Sequence, residues 1–202
     1  MWQFLESLEN SGFSIWVRET PSVLAYPTIL AFHSFGMAFL VGFSAMIGLR
    51  VLGYASDIPL AGMDKLYRLT NIGFWLAAVS GLILIIQAAT VFTVMPIFYV
   101  KLAGVAGAMF FLYAMRKHVA GARKDGPVPS EARFQATMMF AFWGIAIVAG
   151  RLTAYTFFPI GIQSTIATAI LLTVVLVALK VGGKLMPEKP ARSANVRTSS
   201  GY

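Results

Sequence analysis

Five long apolar segments constrain the fold of this chain more than any other feature of its sequence. A helix needs about 20 apolar residues to cross the hydrocarbon core of a bilayer. Segments of that order occupy residues 23–49, 72–92, 97–115, 134–158 and 160–179. Hydrophobic residues make up 58% of the 202 residues and charged residues only 12%, which is far more apolar than a soluble domain requires. We therefore predict an all-α, polytopic membrane protein with five transmembrane helices.

The chain divides into three parts around these segments. Residues 1–22 form an N-terminal arm, residues 23–186 hold the five-helix transmembrane domain, and residues 187–202 form a basic cytoplasmic tail. We predict that this tail is disordered, because it has almost nothing to bury. Short junctions around Pro96 and Pro159 predict hairpins between helices two and three and between helices four and five.

The N-terminal arm combines apolar and acidic residues. Its apolar residues recur near helical spacing: Trp2, Leu5, Leu8, Phe13 and Trp16. Three glutamates lie among them: Glu6, Glu9 and Glu19. This pattern predicts an amphipathic helix on the outer surface of the membrane. A partly ordered interfacial segment is the alternative.

The distribution of basic residues indicates how the chain is oriented in the membrane. Every Lys and Arg except Arg18, Lys101 and Arg151 lies in the connection after the first helix, in the connection after the third, or in the C-terminal region. Because such basic segments stay in the cytoplasm, we predict an N-out, C-in protein of the bacterial inner membrane. The same rule explains the net charge of +8 without a nucleic-acid partner.

Polar residues inside the predicted helices fall at one depth. Counted at about 1.5 Å per residue, each lies about 22 to 25 Å from the cytoplasmic end of its own helix. These residues are His33, Gln87, Lys101, Arg151, Gln163 and Ser164. Their depth is in the outer half of a hydrocarbon core about 30 Å thick. We predict that they form one layer that binds a ligand or cofactor.

The predicted layer is cationic, because all eight acidic residues lie outside the five segments. An unpaired charge in a low dielectric is costly. Three kinds of compensation stay open: a glutamate of the arm, snorkelling of the cation, and a bound anion. Snorkelling suits Lys101, which lies one turn or so from Pro96. A ligand or fixed partner suits Arg151, since a guanidinium binds carboxylate or phosphate through two parallel hydrogen bonds.

His33 is the histidine that lies inside a predicted helix. It either links two helices by a hydrogen bond, ligates a haem iron, or contacts a quinone carbonyl, with Gln87 as its expected neighbour. The chain has no cysteine, which excludes thiolate metal sites and covalent c-type haem. His118 lies beyond the third helix. Haem b would therefore need His33 as its sole histidine ligand, or a methionine or a partner subunit as a second ligand.

Several sequence motifs resemble an uncharacterised family of small bacterial five-helix membrane proteins. They are Tyr26 and Pro27, His33 followed by Gly36, the run LRVLG at 49–53, FYVKLAG with Lys101, and FWGIAIVAGRLTAY with Arg151. The resemblance spans about residues 16–156. It implies the five-helix fold and these pocket residues but no reaction, because the family has no established activity. Members often carry Asp before the LR dipeptide, where this chain has Gly48.

These observations predict an accessory or redox-associated membrane protein that binds an anionic or redox ligand, either haem b or a quinone. With haem, His33 would ligate the metal, and Lys101 and Arg151 would face the propionates. The alternatives are a structural subunit of a larger membrane complex and a transporter of a small anion. Expected partners are membrane lipid and either other membrane subunits or copies of this chain. An enzyme is the weakest hypothesis, since no nucleophile–base pair, metal-ligand cluster or carboxylate pair lies in the layer.

Overall fold

The computed structural model of the chain describes residues 1–54, 58–59, 62–121 and 128–153, together with four residues of a later helix, 169, 173, 176 and 180. In the described part, regular structure is helical. The helices are α1 (Trp2–Glu9), α2 (Gly12–Glu19), α3 (Tyr26–Leu52), α4 (Asp64–Ile86), α5 (Ala89–Thr93), α6 (Pro96–Gly121) and α7 (Ser130–Leu152).

Four of these helices, α3, α4, α6 and α7, are long and apolar enough to cross a membrane. They correspond to the first four predicted segments, so the all-α class is confirmed for the described residues. The second helix differs most from its prediction, since α4 begins eight residues earlier and ends at Ile86. Nearly all of the predicted fifth segment, residues 160–179, lies outside the described residues, as does the predicted tail.

Glycine lets α3 and α4 pack with their backbones in close contact. A Cβ atom on Gly36 would lie 2.5 Å from the backbone nitrogen of Ala77, and one on Gly73 would lie 2.7 Å from the backbone nitrogen of Leu40. Any side chain at these two positions would force the helices apart. Residue numbers rise along α3 as they fall along α4, so the pair is antiparallel. Such close approach is typical of small residues in membrane helices.

The helices α6 and α7 form a second antiparallel pair in the same way. A Cβ atom on Gly104 would lie 2.8 Å from the backbone nitrogen of Ala146, and Gly107 faces the ring of Phe142. The two pairs join where α3 packs on α7, and there Gly48 lies against the side chain of Met139. The main packing units are therefore α3 with α4 and α6 with α7. The predicted hairpin of the second and third spans is not one of them.

A large apolar cluster fills the space among the four long helices. It draws on buried residues of every one: Leu40, Ile47 and Val51 of α3, Tyr67 of α4, Leu112 and Met115 of α6, and Met139 and Trp143 of α7. A second, smaller cluster lies near the start of α6 and contains Met95, Ile97, Phe98 and Ala149.

We call the end of the bundle at which α3 ends and α4 begins the loop end. Here Arg116 of α6 lies 3.5 Å from the carboxylate of Asp64 and 5.5 Å above the ring centre of Tyr67. Arg50 of α3 is buried and donates a hydrogen bond from Nε to the carbonyl of Ile58. Both arginines thus have partners at this end.

The opposite, arm end carries α1, α2 and α5. The helix α4 stops at Ile86, and Ala88 adopts a non-helical backbone conformation with φ −144° and ψ 42° before α5 begins. The junction before Pro96 therefore holds a helix break and a short helix instead of the predicted tight turn. Pro96 itself is the first residue of α6, a position that tolerates its missing N–H.

The outward faces of the long helices are apolar. On α4, exposed large side chains recur every three or four residues: Ile72, Trp75, Val79 and Leu82. On α3 the corresponding exposed residues are Phe32, Phe35, Phe39, Met46 and Leu49. Whole faces of this kind are suited to hydrocarbon and not to water.

Candidate functional site

His33 connects α3 to α4 through its Nδ1 atom. That nitrogen lies 2.9 Å from the backbone carbonyl oxygen of Ala77 and 3.3 Å from the hydroxyl oxygen of Ser80. The Ser80 hydroxyl donates its proton to the carbonyl of Leu76, at 2.6 Å. His33 therefore makes the helix-to-helix hydrogen bond that was one of its three predicted roles.

The partners of His33 decide its tautomer. A backbone carbonyl only accepts hydrogen bonds, so Nδ1 carries the proton and donates it to Ala77. In the neutral ring the second nitrogen, Nε2, then presents a lone pair. This is the arrangement that holds metal-bound histidines, whose other N–H is donated to a carbonyl or carboxylate. Nε2 can ligate a metal or accept a hydrogen bond, but it cannot donate one to a quinone carbonyl.

Gly81 provides the space for the imidazole ring. A Cβ atom at this position would lie 2.9 Å from Cε1 and 3.2 Å from Nδ1 of His33. The ring of His33 is half-buried, while Ser80 beside it is buried. The site on α4 thus consists of Gly81, the Ser80 hydroxyl and the Ala77 carbonyl oxygen, which lie within about one helical turn of each other.

Lys101 brings a positive charge from α6 into this region. Its aliphatic chain passes over Gly150 of α7, where a Cβ atom would lie 3.6 Å from both Cδ and Cε. Its ammonium group is within electrostatic range of His33. Lys101 is half-buried, so a flexible cation and a fixed imidazole from different helices share one region of the bundle.

This region, which we call the polar level, consists of His33, Ala77, Ser80 and Lys101. It lies between the two apolar clusters. Along α6, Val100 packs on the smaller cluster and Val105 on the larger one, with Lys101 between them. Along α7, Ala149 and Ala146 divide between the clusters in the same order. The polar level is therefore bounded above and below by hydrophobic packing.

The other predicted site residues lie at different places. Arg151 follows Gly150 in the last turn of α7 and is exposed, within about one turn of Lys101 along the bundle. Gln87 caps the end of α4, seven residues beyond Ser80 or about 10 Å along the axis, so it is not level with His33. Gln163 and Ser164 lie outside the described residues.

The glutamates of the arm have contacts away from the polar level. Glu9 binds Thr90 and lies near Arg18, Glu19 pairs with Arg18, and Glu6 accepts a hydrogen bond from the Trp2 indole. Among the described residues, no carboxylate lies within ion-pair distance of Lys101 or Arg151. Compensation of these cations by the arm, one of the three predicted alternatives, is not observed there.

The part of the chain that the structure describes contains no group of three or more His, Asp or Glu side chains able to hold a metal ion. Sequence reasoning missed Ser80 and Gly81. Their spacing of one turn from Ala77 is a signal only when the α3–α4 register is known.

Four spanning helices with apolar outer faces indicate a multi-pass, all-α membrane protein with a polar level inside its bundle. No protein-family model, no curated protein and no solved structure matches the chain significantly. The resemblance to the small five-helix family therefore stays a prediction.

Proposed function

We propose that this protein binds an anionic, redox-active ligand at the polar level, in an accessory role within the membrane. The observation that carries the proposal is the hydrogen bond from His33 Nδ1 to the Ala77 carbonyl. It orients the ring and leaves the Nε2 lone pair available, with the positive charge of Lys101 in the same region.

As a ligand for this site, we propose haem b over a quinone. Haem iron takes a neutral imidazole nitrogen, which His33 supplies through Nε2. Its propionates are anions that Lys101 and Arg151 can compensate, since the Lys101 chain lies over Gly150, the residue before Arg151. A quinone carbonyl needs a hydrogen-bond donor, and neutral His33 in this tautomer has already used its only N–H.

Visible spectroscopy tests the haem assignment directly. We expect the protein, purified in mild detergent, to show a Soret band that shifts on reduction with dithionite. The band should be lost in His33→Ala and retained in His118→Ala, because His118 lies near the loop end of α6. A colourless preparation, or a band that survives in His33→Ala, would remove haem from this site.

Native mass spectrometry tests the more general anion site. A copurifying anionic ligand should be lost from Lys101→Met and Arg151→Ala and kept in Arg133→Ala, an exposed arginine in the first turn of α7. If Arg151→Ala keeps the ligand in full, the cationic site is not formed as we propose. A preparation with no bound ligand would favour the structural-subunit hypothesis, in which the polar level only joins helices.

We also propose that the arm end faces the outside of a bacterial inner membrane, as the positive-inside rule predicts. Exposed basic residues cluster at the loop end, among them Lys65, Arg68, Arg116 and Lys117. Because the chain lacks cysteine, single cysteines report topology cleanly. A membrane-impermeant maleimide should label Ser7→Cys but not Lys117→Cys in intact cells, and the opposite pattern would reverse the orientation.

A further inference from the structure

The N-terminal arm is bent into an elbow of two helices. Ser11 caps α2 by accepting a hydrogen bond from the Ser14 amide, at 3.3 Å. The buried Ser14 hydroxyl donates to the carbonyl of Leu8 at the end of α1, at 2.8 Å. These bonds hold α1 and α2 at a defined angle, in place of the single helix that the spacing predicts. The arm therefore presents fixed faces.

One face of the elbow meets the break between α4 and α5. A helix break leaves N–H and C=O groups without helical partners, which is costly near a membrane. Glu9 of α1 accepts hydrogen bonds from the Thr90 amide at 3.0 Å and from the Thr90 hydroxyl at 2.6 Å. One carboxylate thus satisfies a free amide of the break.

Arg18 of α2 meets the other side of the same break. Its Nη1 donates to the carbonyl of Gln87, at 3.1 Å, and lies 4.0 Å from Oε1 of Glu9. Its Nη2 pairs with Glu19 at 3.1 Å. The Glu9 carboxylate therefore binds an amide on one side of the break, and the Arg18 guanidinium binds a carbonyl on the other side. We call Glu9, Arg18, Gln87 and Thr90 the latch.

With the latch formed, the large apolar side chains of the arm are exposed. They are Trp2, Phe4, Phe13, Ile15 and Trp16. The arm leads through residues 20–25 directly into α3, so it lies where the apolar outer faces of the spanning helices end. Tryptophan and other aromatic side chains concentrate at this boundary in membrane proteins, because their rings are apolar and their N–H groups reach water.

We propose that the exposed apolar side chains of the arm contact the lipid at the boundary between headgroups and acyl chains, in an orientation set by the latch. Lipid is the occupant because the arm leads directly into α3, whose exposed outer residues are apolar. Its aromatic and aliphatic side chains bury in the interface, while Glu6, Glu19 and Arg18 remain exposed to the headgroups and water. The proposal does not depend on any ligand at the polar level.

The four tryptophans of the chain make this contact measurable. Trp2 and Trp16 belong to the arm, Trp75 is exposed near the middle of α4, and Trp143 is 2% exposed in the core. Replacing two of the first three by Phe leaves one reporter plus Trp143, so the core stays intact. The variants are reconstituted into phosphatidylcholine vesicles whose acyl chains carry bromine either near the headgroup or near the chain end.

Quenching by the bromines locates each reporter. We expect shallow bromine to quench Trp2 and Trp16 more than deep bromine does, and Trp75 to show the reverse order. The variant with Trp143 alone should be quenched by neither and supplies the background. Quenching of Trp2 and Trp16 by aqueous acrylamide instead of lipid bromine would show an arm in water, and protection from both quenchers would show a protein partner. Either result overturns the proposal.

The latch is tested with a matched pair of glutamates on α1. Glu9→Ala should raise the amide hydrogen exchange of residues 89–93 at least tenfold and change the shallow-to-deep quenching ratio at Trp16. Glu6→Ala removes an exposed carboxylate that contacts only the Trp2 indole among described residues, so both readouts should stay unchanged. Identical behaviour of the two variants would show that the latch does not set the orientation of the arm.

Discussion

Positively charged side chains have different surroundings at the loop end and at the polar level of the bundle. At the loop end, Arg116 has the Asp64 carboxylate at 3.5 Å and the Tyr67 ring beneath it, and the side chains of Arg116 and Asp64 are about half exposed to solvent. At the polar level, the aliphatic chain of Lys101 lies against Gly150 between two apolar clusters, and no carboxylate of the described residues is within ion-pair distance of it. Where water and a carboxylate are available, a cation changes the stability of the folded protein little. Where they are not, an unpaired cation lowers that stability unless another anion binds.

The largest effect should come from separating α3 from α4. Gly36→Ala places a Cβ atom against backbone atoms of Ala77, which cannot yield as a side chain can. We expect a loss of about 1–3 kcal/mol, typical of overpacking, and loss of ligand at the polar level. Gly42→Ala is the control, because no atom lies within 4 Å of an added Cβ there. Thermal unfolding in detergent measures both, and equal melting temperatures would contradict the packing described.

Replacing one cation from each level sharpens the comparison. Lys101→Met should stabilise the ligand-free protein by about 1 kcal/mol or more, since it removes a charge from a hydrophobic setting. Arg116→Met should destabilise it by at most about 1 kcal/mol, because the ion pair with Asp64 is half exposed. Denaturation in the absence of ligand measures whether each substitution raises or lowers the free energy of unfolding. A Lys101→Met protein less stable than the parent would mean that Lys101 has an anionic partner after all.

The latch gives the arm end a pH dependence of its own. Hydrogen bonds from the hydroxyl and then the amide of Thr90, aided by Arg18, hold the pKa of Glu9 below its usual value of about 4.3. A lowered folded pKa contributes stability that is present above that usual value and lost as pH falls through the folded one. Trp16 fluorescence should therefore change below about pH 4.3, in the parent and in Glu6→Gln but not in Glu9→Gln.

The smallest effect should be seen on replacing Ser80, with a second buried serine, Ser44, as the control. Ser80→Ala removes a hydroxyl 3.3 Å from His33 Nδ1 but leaves the hydrogen bond to Ala77, so we expect a loss of about 0.5 kcal/mol and a small shift of any ligand spectrum. Ser44→Ala should leave the spectrum unchanged, because that hydroxyl bonds only to carbonyls of its own helix, Leu40 and Val41. Identical spectra for both variants would place the ligand away from Ser80.

Local composition was enough to predict the class of this protein. Runs of apolar residues with no acidic side chain gave four helices that the structure contains, since the length and hydropathy of a segment do not depend on its neighbours. Counting from the ends of helices also predicted a common depth for His33 and Lys101, and this stays a prediction. The same count failed for Gln87, because α4 begins eight residues earlier than predicted and ends before it.

Only the tertiary structure decided what His33 contacts and where the arm lies. The Ala77 carbonyl becomes its partner because Gly36 and Gly73 let two backbones approach, and that register joins residues 44 positions apart. The latch likewise joins Glu9 to Thr90 across 81 positions. Hydropathy along a chain determines which segments leave water, but close packing between segments determines which polar groups then meet. In this protein, the contacts of the candidate site were determined by packing between helices and not by hydropathy along the chain.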